Sequence, residues 1–329
     1  MEASAIVRTV RERAAELLAS GRVDLVIGFE QGSMPMRAAP CFVSDADGTD
    51  RLVWNSFCGV NLARFLRGRH GRIAVVAKAC DTRALVELIK ENQLCRTDMV
   101  VIGVPCAGMV DSAAVEEITG HAGITGVEEA DGRLLLTAGG SPVSLPREDV
   151  LCRSCRRCST RNPVICDIAV GERAPEPEIP GFLDVDQFAA LPSEERRTRI
   201  EAEMKRCIRC NACRNVCPMC YCVRCFADDA FPQWVGRGGD PGSVMSFHLV
   251  RALHLAGRCV ECGACERACP TGVDLGILNR RMSADVYRHF GYRPGMAPEI
   301  PSPLSTFSPG DPEDFMLEPD RGRSCGCGG

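Results

Sequence analysis

The chain has 329 residues, 45% of them hydrophobic and 25% charged, which is the make-up of an ordinary globular protein long enough for two domains. A formal net charge of −4 argues against a polyanion-binding protein, and no nucleic acid is expected as a partner. No apolar run approaches the ~20 residues that cross a bilayer.

Residues 1–20 form a charged amphipathic pattern unlike a secretory signal, so a cytoplasmic protein without a membrane span is expected. Ile6, Val10, Ala14, Leu17 and Leu18 repeat at helical spacing, and Gly21 stands where a C-cap belongs. A strand is expected over 23–27, shorter ones near 40–43 and 52–54, and a helix over 60–66. The apolar runs 73–77 and 99–104 read as buried strands. The helix between them, 81–90, takes Asp81 as its expected N-cap. Alternating strands and helices with near-continuous apolar strands predict an α/β domain with a mostly parallel sheet over residues 1–150. Asp131-Gly132 between 124–127 and 134–137 predicts a hairpin turn.

Residues 151–172 hold Cys152, Cys155 and Cys158, a Cys-x2-Cys-x2-Cys loop. Pro175, Pro177 and Pro180 among acidic residues mark a linker over 173–185. A charged helix, 193–204, then leads into Cys207, Cys210, Cys213, Cys217 and Pro218. The same Cys-x2-Cys-x2-Cys-x3-Cys-Pro run recurs as Cys259, Cys262, Cys265, Cys269 and Pro270. This is the bacterial ferredoxin spacing. Three thiolates from one loop grip a [4Fe–4S] cubane, and the fourth ligates the other cluster in two-cluster proteins. The insert between the runs carries a helix, 243–256, stopped by Gly257. A helix directly before a cluster run predicts an α-helical module over 186–292. From 293 to 329 Pro, Gly, Ser and acidic residues predict an extended tail, ending with Cys325 and Cys327.

Twenty-two cysteines in a chain expected to stay in the cytoplasm point to metal or redox use, not to a disulfide scaffold. Beyond the two runs, the 152–158 loop suits a third cubane. Cys80 and Cys106 each follow a predicted strand and so reach the carboxyl edge of the sheet, where such folds bind ligands. Cys58, before a helix, is a further thiol there. Cys106 is favoured to complete the third site, with Cys166 as the alternative. Tetrahedral zinc also suits four thiolates, so a zinc-bound scaffold stays open. Cys220, Cys222 and Cys225 follow the first run as an additional centre or as unligated thiols, and Cys41 and Cys95 read as plain buried thiols. Cys213-x3-Cys217-x2-Cys220 has the spacing of radical enzymes that cleave S-adenosylmethionine. The ferredoxin frame already uses two of those three cysteines, and the residues that follow are too few for that chemistry. There is no Gly-x-Gly-x-x-Gly turn and no P-loop. Gly28, Gly32 and Ser33, in the turn after the first strand, are weak candidates for a phosphate or flavin site. Arginines 153, 156, 157 and 161 crowd the third loop, and 206, 209 and 214 the first run. There they would offset cluster charge and face an acidic partner.

Residues 73–85 (Ile-Ala-Val-Val-Ala-Lys-Ala-Cys-Asp-Thr-Arg-Ala-Leu), the Gly103-Val104-Pro105-Cys106 segment, and Cys155, Cys158 and Cys166–Gly171 together resemble the N-terminal domain of the beta subunits of deazaflavin-reducing hydrogenases and formate dehydrogenases. The resemblance implies cluster-ligand roles for Cys106, Cys155 and Cys158, with Cys152 fourth and Cys166 a non-ligand. Residues 253–265 resemble the α-helical ferredoxin module of heterodisulfide reductase small subunits. Together these imply an electron-transfer subunit of a larger oxidoreductase with three [4Fe–4S] clusters. Its partners would be a hydrogenase or formate dehydrogenase, a flavin subunit and a heterodisulfide-reductase-like protein. Some members of the beta-subunit family bind FAD and reduce a soluble carrier, which would make this chain catalytic in its own right.

Overall fold

The computed structural model describes residues 3–121, 123–178 and 181–306. Helix α1 (Ala3–Ala19) buries Val10, Ala14 and Leu17, and the chain turns at Gly21 with φ +64. Strands β1 (Leu25–Gln31) and β2 (Ala38–Val43) pair antiparallel, Val26 opposite Val43 through Gln31 opposite Ala38. In place of the helix expected over 60–66, a single 3-10 turn forms over Leu62–Phe65, capped by Asn61.

Strand β3 (Ile73–Ala77) lies parallel between β1 and β4 (Met99–Gly103), and every residue of β3 and β4 is buried. Helix α2 (Ala79–Lys90) connects them. It begins two residues before the expected start, so Asp81 is not its N-cap. Lys78 occupies the N-cap position without a capping side-chain bond, and Asp81 reaches back from the third position to accept from the Lys78 amide at 2.9 Å and the Leu62 amide at 3.1 Å. Helix α3 (Ser112–Ile118) is capped by Asp111. Three antiparallel strands follow: β5 (Ile124–Ala130), β6 (Arg133–Ala138) and β7 (Ser141–Pro146). The expected turn has φ +49 at Asp131 and +71 at Gly132, the signs a type I′ turn requires. The next turn uses Gly139 and Gly140 with the same signs. It leads into β7, a strand not among those expected, which contains Pro142 and Pro146. Both prolines are tolerated because β7 is an edge strand.

Helix α4 (Arg153–Arg156) is one turn, and the two-residue β8 (Ile168–Ala169) adds parallel to β4. The larger sheet therefore has the order β2-β1-β3-β4-β8, parallel except at β2. Beyond it come α5 (Leu183–Ala189), α6 (Ser193–Lys205), α7 (Ala212–Asn215), α8 (Pro241–His254), α9 (Ala264–Arg267) and α10 (Gly276–Phe290). Among the described residues no strand follows β8, and no helix is long and apolar enough to cross a membrane. Helix α5 starts within the stretch expected as linker, and Phe182 and Val185 pack on Ala284 of α10.

The helical half shares a core with the sheet. Met219, Leu255 and Val260 belong to the same buried cluster as Val75, Leu85 and Ile102. Polar ties reinforce this. Arg64 Nε donates to the Asn215 carbonyl at 2.9 Å, and the Tyr221 hydroxyl donates to Glu91 at 2.6 Å. The segment after α10 crosses back over α2. Arg83 donates twice to the Pro294 carbonyl, at 3.0 and 2.9 Å. The Tyr292 hydroxyl and the Gly295 amide each donate to buried Glu87 Oε1 at 2.6 Å. Removing one donor from a buried carboxylate costs ~1.5–3 kcal/mol. Tyr292→Phe is therefore expected to lower the thermal midpoint of the whole chain, read as a single earlier transition. An unchanged midpoint would show that this strap carries no load.

Candidate iron–sulfur centres

The two ferredoxin-spaced loops repeat the same backbone. In the first, Arg209 and Asn211 have φ +54 and +60; in the second, Glu261 and Gly263 at the matching positions have φ +56 and +67. Each loop then turns into a one-turn helix, α7 or α9, and these two helices pack on each other. Three non-glycine residues in this conformation are uncommon, and such strain persists where a site demands it. Alternating left- and right-handed residues curl backbone amides into an anion-binding concavity of the kind seen at Fe–S sites. Amides already point at sulfur: Arg209 N donates to Cys207 Sγ at 3.4 Å and Val273 N to Cys269 Sγ at 3.3 Å.

The fourth cysteines cross over. Cys269 lies among the first loop's thiols, acting on Cys207 and Cys213. Cys217 instead acts on Cys259, Cys262 and Cys265 of the second. Cys210 stands in the first loop, exposed. Burial pushes the Cys259, Cys262 and Cys265 thiols up, so isolated thiolates would be costly there.

A third group gathers at the carboxyl edge of β3 and β4. Cys80 and Cys106 each stand three residues beyond a strand end, Ala77 and Gly103. Cys106 faces Cys155 and Cys158, and burial pushes its thiol up to about 11. The 152–158 loop is held there by the Cys152 amide donating to the Met109 carbonyl at 2.9 Å, while Met109 N donates to Cys155 Sγ at 3.2 Å. The Cys152 and Cys155 thiols are hydrogen-bonded to each other, which holds Cys155 below the ordinary thiol range and Cys152 above it. This loop forms α4 and lacks the left-handed residues of the other two, so its backbone is of a different design. Cys80 faces both Cys106 and Cys262, and so stands between the sheet edge and the second loop. Sequence reasoning places it at the edge but leaves it out of the ligand set. Its offset from β3, equal to that of Cys106 from β4, is the available signal.

Cys166 stands apart. It is exposed, its charged neighbours are Asp167 and Arg96, and its sulfur lies against Gly103, where a Cβ would come within 2.6 Å of it. Gly28, Gly32 and Ser33 lie in β1 and in the turn that follows it. Gly28 lies inside β1, where a Cβ would stand 2.6 Å from Leu52 Cδ2, and Gly32 N donates to the Arg37 carbonyl in the β1–β2 turn. The segment is a strand and its hairpin connection. Cys41 and Cys58 are buried, as is usual for plain thiols, whereas Cys95 is exposed. Cys220, Cys222 and Cys225 line an open cavity of about 450 Å³ with Met219, Phe226 and Phe247. Cys325 and Cys327 lie outside the described residues.

Among the described residues no set of three or more His, Cys, Asp or Glu side chains is arranged around a single metal ion. A cubane is larger than one ion, so thiols framing it stand wider than a zinc shell with its ~2.3 Å Zn–S bonds. The orphaned polar atoms nearby are of the right kind for such a group. His248, 3% exposed, meets Cys207 Sγ through Nε2 at 3.2 Å and leaves Nδ1 unpartnered. Arg251, 4% exposed, leaves Nε unpartnered. Asn279 Nδ2 reaches Cys265 Sγ at 3.7 Å. Buried donors directed at a thiol-lined space fit an anionic cluster with acceptor sulfurs.

Residues 70–201 match the family described as the C terminus of the coenzyme F420 hydrogenase/dehydrogenase beta subunit. The match spans the third cysteine loop and stops before the first ferredoxin run. It names the C-terminal part of that subunit, where the sequence likeness was to its N-terminal domain. The chain is 25% identical to the F420-dependent formate dehydrogenase subunit beta of Methanocaldococcus jannaschii, over 87% of this chain and 90% of that protein. It is likewise 25% identical to the F420-dependent formate dehydrogenase 1 subunit beta of Methanococcus maripaludis, over 89% and 92%. Among solved structures, a chain of the F420-reducing [NiFe] hydrogenase complex from Methanosarcina barkeri aligns with 48% of this chain and 59% of its own length, at TM-score 0.34 and 14% identity.

Proposed function

We propose that the chain, which is similar to the beta subunits of coenzyme F420 hydrogenases and formate dehydrogenases, is the electron-transfer subunit of such an oxidoreductase complex. Three [4Fe–4S] clusters would be held by this chain. Cys207, Cys210, Cys213 and Cys269 hold the first; Cys259, Cys262, Cys265 and Cys217 the second. Both lie in an α-helical ferredoxin domain over 186–292. Cys106, Cys152, Cys155 and Cys158 hold the third, at the edge of the α/β domain. When bound, each cluster takes up and releases one electron at a time. The chain's own residues fix the spacing, bury the sulfurs and aim amides at them, which tunes potential. The partners would be a hydrogenase or formate dehydrogenase, with a flavin or heterodisulfide-reductase-like subunit, in the cytoplasm.

The observation that carries this reading is the crossing of Cys217 and Cys269 between two loops of matching backbone. The test is purification without air, followed by metal analysis and electron paramagnetic resonance of the reduced protein. About 12 irons and 12 sulfides per chain are expected, the content of three cubanes. A colourless chain carrying zinc and no iron would overturn the proposal.

A further inference from the structure

Two arginines have no role in ligation, yet each is enclosed by thiols of two different groups. Arg251 projects from α8 and donates through Nη2 to the Cys213 carbonyl at 3.2 Å, and its Nε has no partner. The opposite charges that act most strongly on it are those of Cys265, Cys217, Cys220 and Cys213. These come from both ferredoxin loops. Arg267 projects from α9 across the boundary to the sheet. Its Nε and Nη2 donate to the Gly59 carbonyl at 3.0 and 2.5 Å, Nη2 also to the Cys262 carbonyl at 2.8 Å, and Nη1 to Ser154 Oγ at 3.2 Å. The charges acting most strongly on it are Cys155, Cys152, Cys262 and Cys80, from the second loop and the sheet edge. No carboxylate is among the main charges on either guanidinium.

A guanidinium stays ionised in proteins, and an ion out of water without a counter-charge costs several kcal/mol. The carbonyls and the hydroxyl bonded to these guanidiniums are neutral and leave the charge unmatched. We infer that Arg251 and Arg267 are positioning residues that keep one positive charge in each gap of the relay. Arg251 serves the gap between the two ferredoxin-loop sites, and Arg267 the gap between the second of these and the sheet-edge site. The inference rests on the proposed reading that these thiols hold iron–sulfur clusters. Each cluster gains negative charge on reduction, so a fixed cation nearby favours its reduced form and raises its potential. The middle site, flanked by both arginines, receives this twice.

Full-length Arg251→Gln, Arg251→Lys, Arg267→Gln and Arg267→Lys, prepared without air, are to be assayed for iron and titrated under spectroscopic observation. Arg251→Gln is expected to keep wild-type iron and to lower the potentials of both ferredoxin-loop sites by at least about 59 mV, a tenfold fall in the reduced-to-oxidised ratio at fixed potential. The sheet-edge site stays as in wild type. Arg267→Gln does the same to the second-loop and sheet-edge sites and spares the first. The Lys variants, which keep the charge, stay closer to wild type than their Gln counterparts. Unchanged potentials at full iron, or an equal shift of all three sites, would overturn the inference. If a Gln variant loses iron, its Lys variant decides. Retained iron at near wild-type potential upholds the need for charge, and lost iron assigns the arginine to shape alone. Wild-type protein without iron would instead defeat the functional reading, a separate outcome.

Discussion

Cys217→Ser is expected to empty the site built on the second ferredoxin loop, although Cys217 belongs to the first run, and Cys269→Ser to empty the site on the first loop. Each variant should lose about four of 12 irons, the content of one cubane. Iron content alone does not say which site was lost, so the variants are best combined. Cys217 acts on Cys259, Cys262 and Cys265. Cys217→Ser with Cys262→Ser should therefore lose no more than Cys262→Ser alone. With Cys210→Ser, by contrast, it should lose about eight irons, two cubanes' worth. Such non-additivity is expected of residues acting on one site and additivity of residues on separate ones. The reverse pattern would mean that each run closes its own cluster, and the crossing would be discarded.

Cys106→Ser should remove about four irons and leave the ferredoxin-loop sites intact, whereas Cys166→Ser should keep the full complement. Cys106 stands at the sheet edge with its amide bonded to the Arg161 carbonyl at 2.8 Å, and it faces Cys155 and Cys158. Cys166 lies on the approach to β8 with its sulfur against Gly103. To reach the other thiols, the chain would have to give up the pairing of Asp167 with the Val101 amide at 2.7 Å and the short β8 ladder. Iron loss in Cys166→Ser alone would reverse the ligand choice. Loss in both would point to a chain that misfolds around the site, which a thermal midpoint would separate from a ligand effect.

The parts of the fold legible in the sequence are those whose cause is local. β3 and β4 are apolar and buried along their length, and Asp131-Gly132 carries a turn that demands positive φ. Asp81 is easily misassigned because a capping box puts an acidic residue at the third helical position as readily as at the cap. β7 and β8 escape sequence reading because an edge strand with two prolines and a two-residue strand have too little pattern. At the site the cysteine spacing is legible, and the thiols at the sheet edge follow from topology. Arg251 and Arg267 are not legible in this way. The meaning of Arg267 lies in the approach of residues near 59 and 154 to residues near 262, and nothing local in the sequence announces it. Arg251 likewise takes its meaning from thiols of two separate loops.

The common core of the two halves has a mechanical consequence. Leu255 and Val260, next to the second cysteine loop, are packed with the sheet's own residues, and Arg267 is bonded to both sides of the junction. Carriers that shuttle electrons by swinging a tethered domain wait for diffusion, and their rates fall as the solvent thickens. Here the junction is a solid seam. On the proposed reading, passage between the sheet edge and the helical half waits for no such excursion, and its rate should be indifferent to viscosity.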